Sequence, residues 1–511
     1  MRKSLFAVPV TMLIACSAVP DEPMAATEAN ASAPAAPPAP AARAFPPGFL
    51  WGVATAAYES EGRDTNTDWE AFVEAKKAPA AGWAQNSWEL YDTDAANAES
   101  LHLNLFQLGI EWARIVPRMP ADPSAPLTDA DIDHEAVAHY HDVLDSLERH
   151  HLQPMVAVTH FALPRWIRDG WTNPVTGPAM ARYGEFLARE FGGQVKLWIT
   201  EDEPLVALVA GYMDGSFPPG FEEMDLENDS LPHGASPKKV LENMMAGHAL
   251  TYHAIKAVQP ESRITFAHNS VWWEPNGDEQ HDIDAARRVD YAYNLHFLDA
   301  VTKGHFDESL IGDGPLVPHP EWAHTLDFIG VNFYDAAYVV GQEGILPPLN
   351  ALPCSSAVTS SQPVGSWLLG CAGDHPEEEP AMAKMLLEYE ARYHLPQLIT
   401  ESGFIDTPKG KSRKIVRILD SVHDAIAQGA NVFGYTYWTL NHDYEWNNGW
   451  AENMGLFDIA GISRQKLPES GPGPDTDFTR IPLHPFVDVY GQIAQENRLA
   501  PELIQKYGKH P

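Results

Sequence analysis

Two glutamates stand where short apolar runs end in polar residues. Glu203 lies in "WITEDEP", just before Pro204, and Glu401 lies in "LITESG", just before a small-residue turn. A pair of carboxyl groups can break an acetal: one donates a proton to the leaving oxygen and the other attacks the carbon. With net retention of configuration, the two groups must stand roughly 5–5.5 Å apart. Taken singly, a glutamate at such a position is more often a helix cap or a solvated residue. The pair must therefore be judged by the elements that carry it.

Those elements alternate. Eight runs rich in β-branched and aromatic residues begin at Phe49, Asn104, Gln153, Val195, Arg263, Asp327, Pro396 and Asn431. Helical stretches such as 134–151 and 180–191 separate them, the pattern of a parallel sheet covered by helices. Eight strand–helix units over about 450 residues predict a single (β/α)8 barrel with long loop insertions. An open doubly wound sheet would usually carry a glycine-rich phosphate loop after its first strand, and none is present. In a barrel, the C-terminal strand ends form one mouth. Strands four and seven face each other across it, so Glu203 and Glu401 are predicted to meet there.

The longer motifs identify a family. "FPPGFLWGVATAAYESEG" (45–62), "THFALP" (159–164), "DFIGVNFY" (327–334) and "WTLNHDYEWNNGW" (438–450), with both glutamate motifs in order, resemble glycoside hydrolase family 1, the β-glucosidase family. The resemblance runs from Phe45 to about Leu456. It implies that Glu203 is the acid/base, Glu401 the nucleophile, and Tyr334 a hydrogen-bond donor to the nucleophile. It also implies that His160, Asn332 and Glu445 bind sugar hydroxyls, with Trp438 beneath the ring and Trp446 beside it. Each role suits its residue type. Imidazole donates and accepts, carboxylates take paired hydroxyl donors, and indole faces suit the C–H face of a pyranose.

Three positions depart from the family pattern. A sugar-binding Gln is Glu59, an Arg that supports the nucleophile is Gln107, and the Asn before the acid/base is Asp202. The site is thereby expected to lose a positive charge and gain two ionisable carboxyls, and like charges in a desolvated pocket raise carboxyl pKa values. Glu59, Asp202, Glu203, Glu401 and Glu445 are expected to line one cleft, with Glu59 the group that stays protonated. Three consequences are open: an altered sugar specificity, a substrate group carrying its own positive charge, or loss of activity.

The N-terminus reads separately. Arg2 and Lys3 precede an apolar run too short to span a bilayer as a mature helix, ending Leu13-Ile14-Ala15-Cys16. This resembles a bacterial lipoprotein signal: residues 1–15 would be removed and Cys16 lipidated. Residues 16–45, with "ASAPAAPPAPAA" at their centre, lack an aromatic before Phe45 and read as a disordered tether. The glycosidase domain is expected at 46–505. Ser17 favours the outer membrane, so the protein is expected to be anchored in the bacterial cell envelope, periplasmic or surface-facing. The other two of the three cysteines, Cys354 and Cys371, flank a Ser-, Gly- and Pro-containing stretch and are expected to form a disulfide in that oxidising setting.

Composition excludes some functions. Seventy acidic against 34 basic residues give a net charge of −36, which repels nucleic-acid backbones. His160 and His442 are not spaced as a metal pair, and "ESGPGPD" (469–475) has no phosphate-loop lysine. No cofactor and no metal are expected. The reading is a retaining exo-β-glycosidase acting on terminal glucose- or galactose-type sugars. The alternatives are a transglycosylase using a lipid or sugar acceptor, and a non-catalytic sugar-binding relative. The "LGIEWARIVP" stretch (108–117) resembles the galactolipid galactosyltransferases of the same family, which keeps the second open.

Overall fold

All eight predicted runs are strands: β1 Leu50–Ala54, β2 Leu105–Gly109, β3 Gln153–Thr159, β4 Leu197–Asp202, β5 Arg263–Pro275, β6 Ile329–Gly341, β7 Gln397–Glu401 and β8 Val432–Trp438. The computed structural model describes residues 41–354, 378–463 and 467–508. Each strand pairs in parallel with its sequence neighbours, and β8 pairs in parallel with β1 to close the ring. The sheet is thus a closed (β/α)8 barrel, as predicted; an open doubly wound sheet would leave two edges.

A helix covers each crossover: α1 Ser87–Ser100, α2 His134–Arg149, α3 Thr176–Phe191, α4 Pro237–Val258, α5 Gln280–Asp290, α6 Glu378–Tyr393, α7 Pro408–Ala427 and α8 Phe486–Glu496. Thr407 shows how such a helix starts. Its side chain accepts from the Gly410 amide, and Pro408 occupies the first turn, where no backbone donor is required. Helix α3 begins four residues ahead of the predicted stretch, because Pro178 is tolerated in a first turn.

Inside the barrel, Leu105, Met155, Ala157, Leu197, Ile199, Ala267, Phe328 and Leu398 pack as one buried layer beneath the mouth. The opposite strand faces join the helices in the main core. Each fully buried Leu, Ile or Met in such a layer contributes about 1.5–3 kcal/mol. The layer makes the barrel floor rigid, so the strand ends above it are fixed in position.

Two boundaries move. Arg43–Ala44 pair antiparallel with Arg498–Leu499, and a helix at Pro501–Tyr507 closes the described chain. The packed region therefore extends slightly beyond 46–505 at both ends, because backbone pairing needs no aromatic side chain. Strands β5 and β6 also run past the predicted 263–273 and 327–334. Their ends, paired from Val271↔Asp335 to Pro275↔Val339, rise above the ring, and Ala351–Cys354 adds to β6 antiparallel. Cys16, Cys371 and the tether up to residue 40 lie outside the described residues, as does the side chain of Cys354; so does the predicted disulfide.

Candidate active site

Local irregularities aim the two glutamates. Alternation along a strand would place Glu401 on the face opposite Leu398, which points into the barrel. The register of β7 against β6 shifts between Ile399 and Glu401, and a shift of this kind re-aims a side chain. A matching shift between β4 and β5 falls between Ile199 and Asp202. Glu203 follows with φ 42° and ψ 58°, a left-handed conformation that costs a non-glycine residue on the order of 1–3 kcal/mol. Its amide is held by the Ala267 carbonyl at 2.9 Å, and Pro204 starts the short helix beyond it.

The result is one pocket of about 610 Å³ lined by His160, Asp202, Glu203, Asn269, Tyr334, Glu401, Trp438, Glu445 and Trp446 among others. The Tyr334 hydroxyl donates to Glu401 Oε2 at 2.8 Å, and Gln107 Nε2 donates to Glu401 Oε1 at 3.1 Å. Glu203 Oε1 accepts from Asn332 Nδ2 and from Asn269 Nδ2, both at 2.9 Å. Asn332 is itself oriented by the Thr400 hydroxyl, which donates to its Oδ1 at 2.6 Å. The His160 ring lies nearly parallel to that of Trp446, centroids 5.7 Å apart, and 5.5 Å from that of Trp438. A polar rim with indole walls is a site for a sugar ring.

Two residues predicted to bind the sugar do not line the pocket: Asn332, fully buried with its amide engaged by Glu203 and Thr400, and Glu59. Glu59 sits on the turn Ala57–Ser60 after β1, 1% exposed and behind the pocket wall. There it meets Glu445 and Asp443, the three offering carboxylate oxygens within 4.8 Å of one another. The helical turn after β1 directs Glu59 at those two residues rather than into open space.

Burial governs the electrostatics. It pushes the carboxyl of Glu59 well above its usual range, and Glu445, Asp443 and Glu401 add to the effect; the Trp446 amide offsets it in part. Glu401 is raised by burial, then by Asp202 and Glu203, while the Tyr334 hydroxyl opposes the shift. Glu203 is raised by burial, against the two Asn donors. His160 is lowered to about 3 by burial. Its Nε2 stands 3.3 Å from Asp202 Oδ2, and Asp202 is raised by burial and by Glu203. Burial thus drives both groups toward their neutral forms, against the attraction an ion pair would give. Lys411 is lowered to about 7 by burial, its Nζ donating to the carbonyls of Asn453 at 2.7 Å and Gly455 at 3.0 Å.

Sequence reasoning missed three contributors. Asn269 lies inside a predicted strand without a motif to mark it. Tyr293, whose hydroxyl donates to Asn269 Oδ1 at 2.8 Å, comes from a π-helical turn, Tyr291–Leu295. Asp443 was visible two residues before Glu445 in the quoted 438–450 motif, but its burial beside Glu59 was not. Among the described residues, two triads could bring one ligand atom each to a cation: His160, Asp202 and Glu401, and Glu59, Asp443 and Glu445.

The profile of the family described as glycosyl hydrolase family 1 matches residues 41–468. The chain belongs to that family. Among its relatives, the β-galactosidase of Pyrococcus woesei is 27% identical over 513 aligned residues, covering 83% of this chain and 94% of its own. β-Glucosidase 47 of Arabidopsis thaliana is 26% identical and covers 83% of both chains. The solved structure of a β-glycosidase from Pyrococcus horikoshii superposes with a TM-score of 0.75 at 26% identity, over 92% of this chain and 99% of that one. As a family 1 glycosidase, the chain needs two carboxyl groups facing one sugar, and its barrel mouth holds Glu203 and Glu401 in a single pocket.

Proposed function

We propose that this family 1 enzyme is a retaining exo-β-glycosidase that removes terminal β-linked glucose- or galactose-type sugars. The observation that carries this reading is the pair of buried glutamates in one pocket, each held by its own two donors. The names of the relatives, β-galactosidase and β-glucosidase, support the sugar class.

Glu203, whose carboxyl burial pushes toward its protonated form, donates a proton to the glycosidic oxygen. As the bond from that oxygen to the anomeric carbon breaks, a Glu401 oxygen forms a new bond to the same carbon. The departing alcohol leaves with the proton. Glu203, now a carboxylate, takes a proton from water; the water oxygen bonds to the anomeric carbon and Glu401 is released as a carboxylate. Two inversions give retention. Glu401 is the nucleophile because a phenolic O–H, from Tyr334, orients the oxygen that remains. His160, Asp202 and Glu445 line the pocket and are positioned to bind sugar hydroxyls, Asn332 to hold Glu203, Trp438 and Trp446 to pack the ring, and Glu59 to support Glu445 from behind. We place the enzyme in the cell envelope, anchored through lipidated Cys16 and tethered by the Ala- and Pro-rich segment.

The test is chemical rescue. Glu401→Ala should abolish turnover of an activated aryl β-glycoside, and azide should restore it with the inverted glycosyl azide as product. Near-wild-type rates in Glu401→Ala would remove the assignment.

A further inference from the structure

The pocket is lined by the carboxyl groups of Asp202, Glu203, Glu401 and Glu445, and none of its described lining residues is a lysine or arginine. Asp202 lines the pocket with its side chain fully buried, and its Oδ2 stands 3.3 Å from the neutral His160 ring, with Asn332 the other polar group acting on it. One ligand atom each from Asp202, Glu401 and His160 lie within 4.8 Å of one another. The groups acting most on Glu401 are three carboxyls and one phenol, and its direct partners, Gln107 and Tyr334, are neutral.

Three atoms no more than 4.8 Å apart share a centre at most about 2.8 Å from each, within reach of charge-assisted hydrogen bonds from one donor group. A hydroxyl there has one donor and no charge. An ammonium has three donors and one positive charge, matching two carboxylates and a neutral imidazole. On the reading of Glu401 as nucleophile, on which this inference rests, a group touching both Glu401 and Asp202 is the substituent on carbon 2 of the sugar, the neighbour of the attacked carbon.

We propose that the preferred substrates are 2-amino-2-deoxy-β-glycosides, their ammonium seated between Asp202, Glu401 and His160. The substrate then brings the positive charge that the pocket lacks. Asp202, driven toward its neutral form in the free protein, ionises against the ammonium. Its charge also offsets a specific cost: a cation at carbon 2 opposes the positive charge that develops at the anomeric carbon. The Glu59, Asp443 and Glu445 triad is a weaker seat, because Glu59 and Asp443 do not line the pocket. A metal ion on the first triad would occupy the lone pairs of Glu401 that must attack.

The experiment compares 4-nitrophenyl 2-amino-2-deoxy-β-glucoside with 4-nitrophenyl β-glucoside on the full-length enzyme and on Asp202→Asn. The wild type should favour the amino sugar in kcat/KM by about tenfold or more, the scale of a hydrogen bond to a charged group. Asp202→Asn should lose that preference by at least a similar factor. Direct binding to Glu203→Gln, which keeps the triad and lacks the proton donor, should show the same preference without turnover. Good cleavage of the glucoside with less than a tenth of that rate on the amino sugar would overturn the proposal and leave the glycosidase reading standing. No cleavage of either would bring down both. Tight Zn2+ binding that Asp202→Asn abolishes, with no turnover of the amino sugar, would assign the triad to a metal instead.

Discussion

Replacing Tyr334 by Phe deletes one hydroxyl and with it one of the two hydrogen bonds to Glu401. That bond is 2.8 Å long and reaches a buried carboxylate. A hydrogen bond to a charged group contributes about 1.5–3 kcal/mol, and one pKa unit corresponds to about 1.36 kcal/mol. The donor favours the ionised form, so its loss raises the pKa of Glu401 further, by about one to two units. A nucleophile must be ionised. The acid limb of kcat/KM should therefore move to higher pH by that amount, and at a fixed pH on the limb the rate should fall about tenfold per unit. The assay is hydrolysis of an aryl β-glycoside from roughly pH 4 to pH 9. Tyr183→Phe is the control, because the Tyr183 hydroxyl donates to the Ile110 carbonyl at 2.8 Å and makes no contact with Glu401. It should lower stability and leave the limb in place. A Tyr334→Phe enzyme that folds normally and keeps the wild-type acid limb would refute the reasoning: either Glu401 is not the group titrating there or Tyr334 does not hold it.

Four further outcomes follow from the same structure and sequence. Burial and three neighbouring carboxyls push Glu59 toward its protonated form, and its ionisation as pH rises adds charge beside Glu445; Glu59→Gln should extend activity to higher pH, and an unmoved alkaline limb would leave Glu203 as the group that sets it. Glu59→Gln should also raise thermal stability above the ordinary carboxyl range, because a group whose folded pKa is raised loses stability as pH climbs from its unfolded to its folded value; equal melting temperatures near neutrality would contradict this. Cys16→Ala should move the protein from the membrane to the soluble fraction with its activity intact, and Cys354 and Cys371 should resist thiol labelling until a reductant is added.

Much of the site was legible before any coordinates. The β-branched runs are strands because such side chains suit a pleated, buried surface, and eight of them alternating with helices leave few arrangements other than a barrel. Glu203, Glu401, His160 and Trp438 sit at or one residue beyond strand ends, Tyr334 lies in β6, and Glu445 and Trp446 lie in the loop after β8; a closed parallel barrel brings those strand ends to one mouth. Glu59 shows where that logic stops. It follows β1 as predicted, but the turn Ala57–Ser60 points it behind the wall.

What the sequence alone determined was which residue types stand at which strand ends, and hence two candidate glutamates, their donors and an excess of acid in the pocket. Tertiary structure decided the rest. The register shifts at Ile199–Asp202 and Ile399–Glu401 aim the side chains, and no residue type announces them, since they depend on pairing between strands 60 or more residues apart. Tyr293 reaches Asn269, and through it Glu203, from a distant helical turn. The charge state of the site was settled the same way. Asp202, Glu401, Glu59, Asp443 and Glu445 have raised carboxyl pKa values because folding removes water from all of them together, and desolvation is a property of the closed pocket rather than of any one residue.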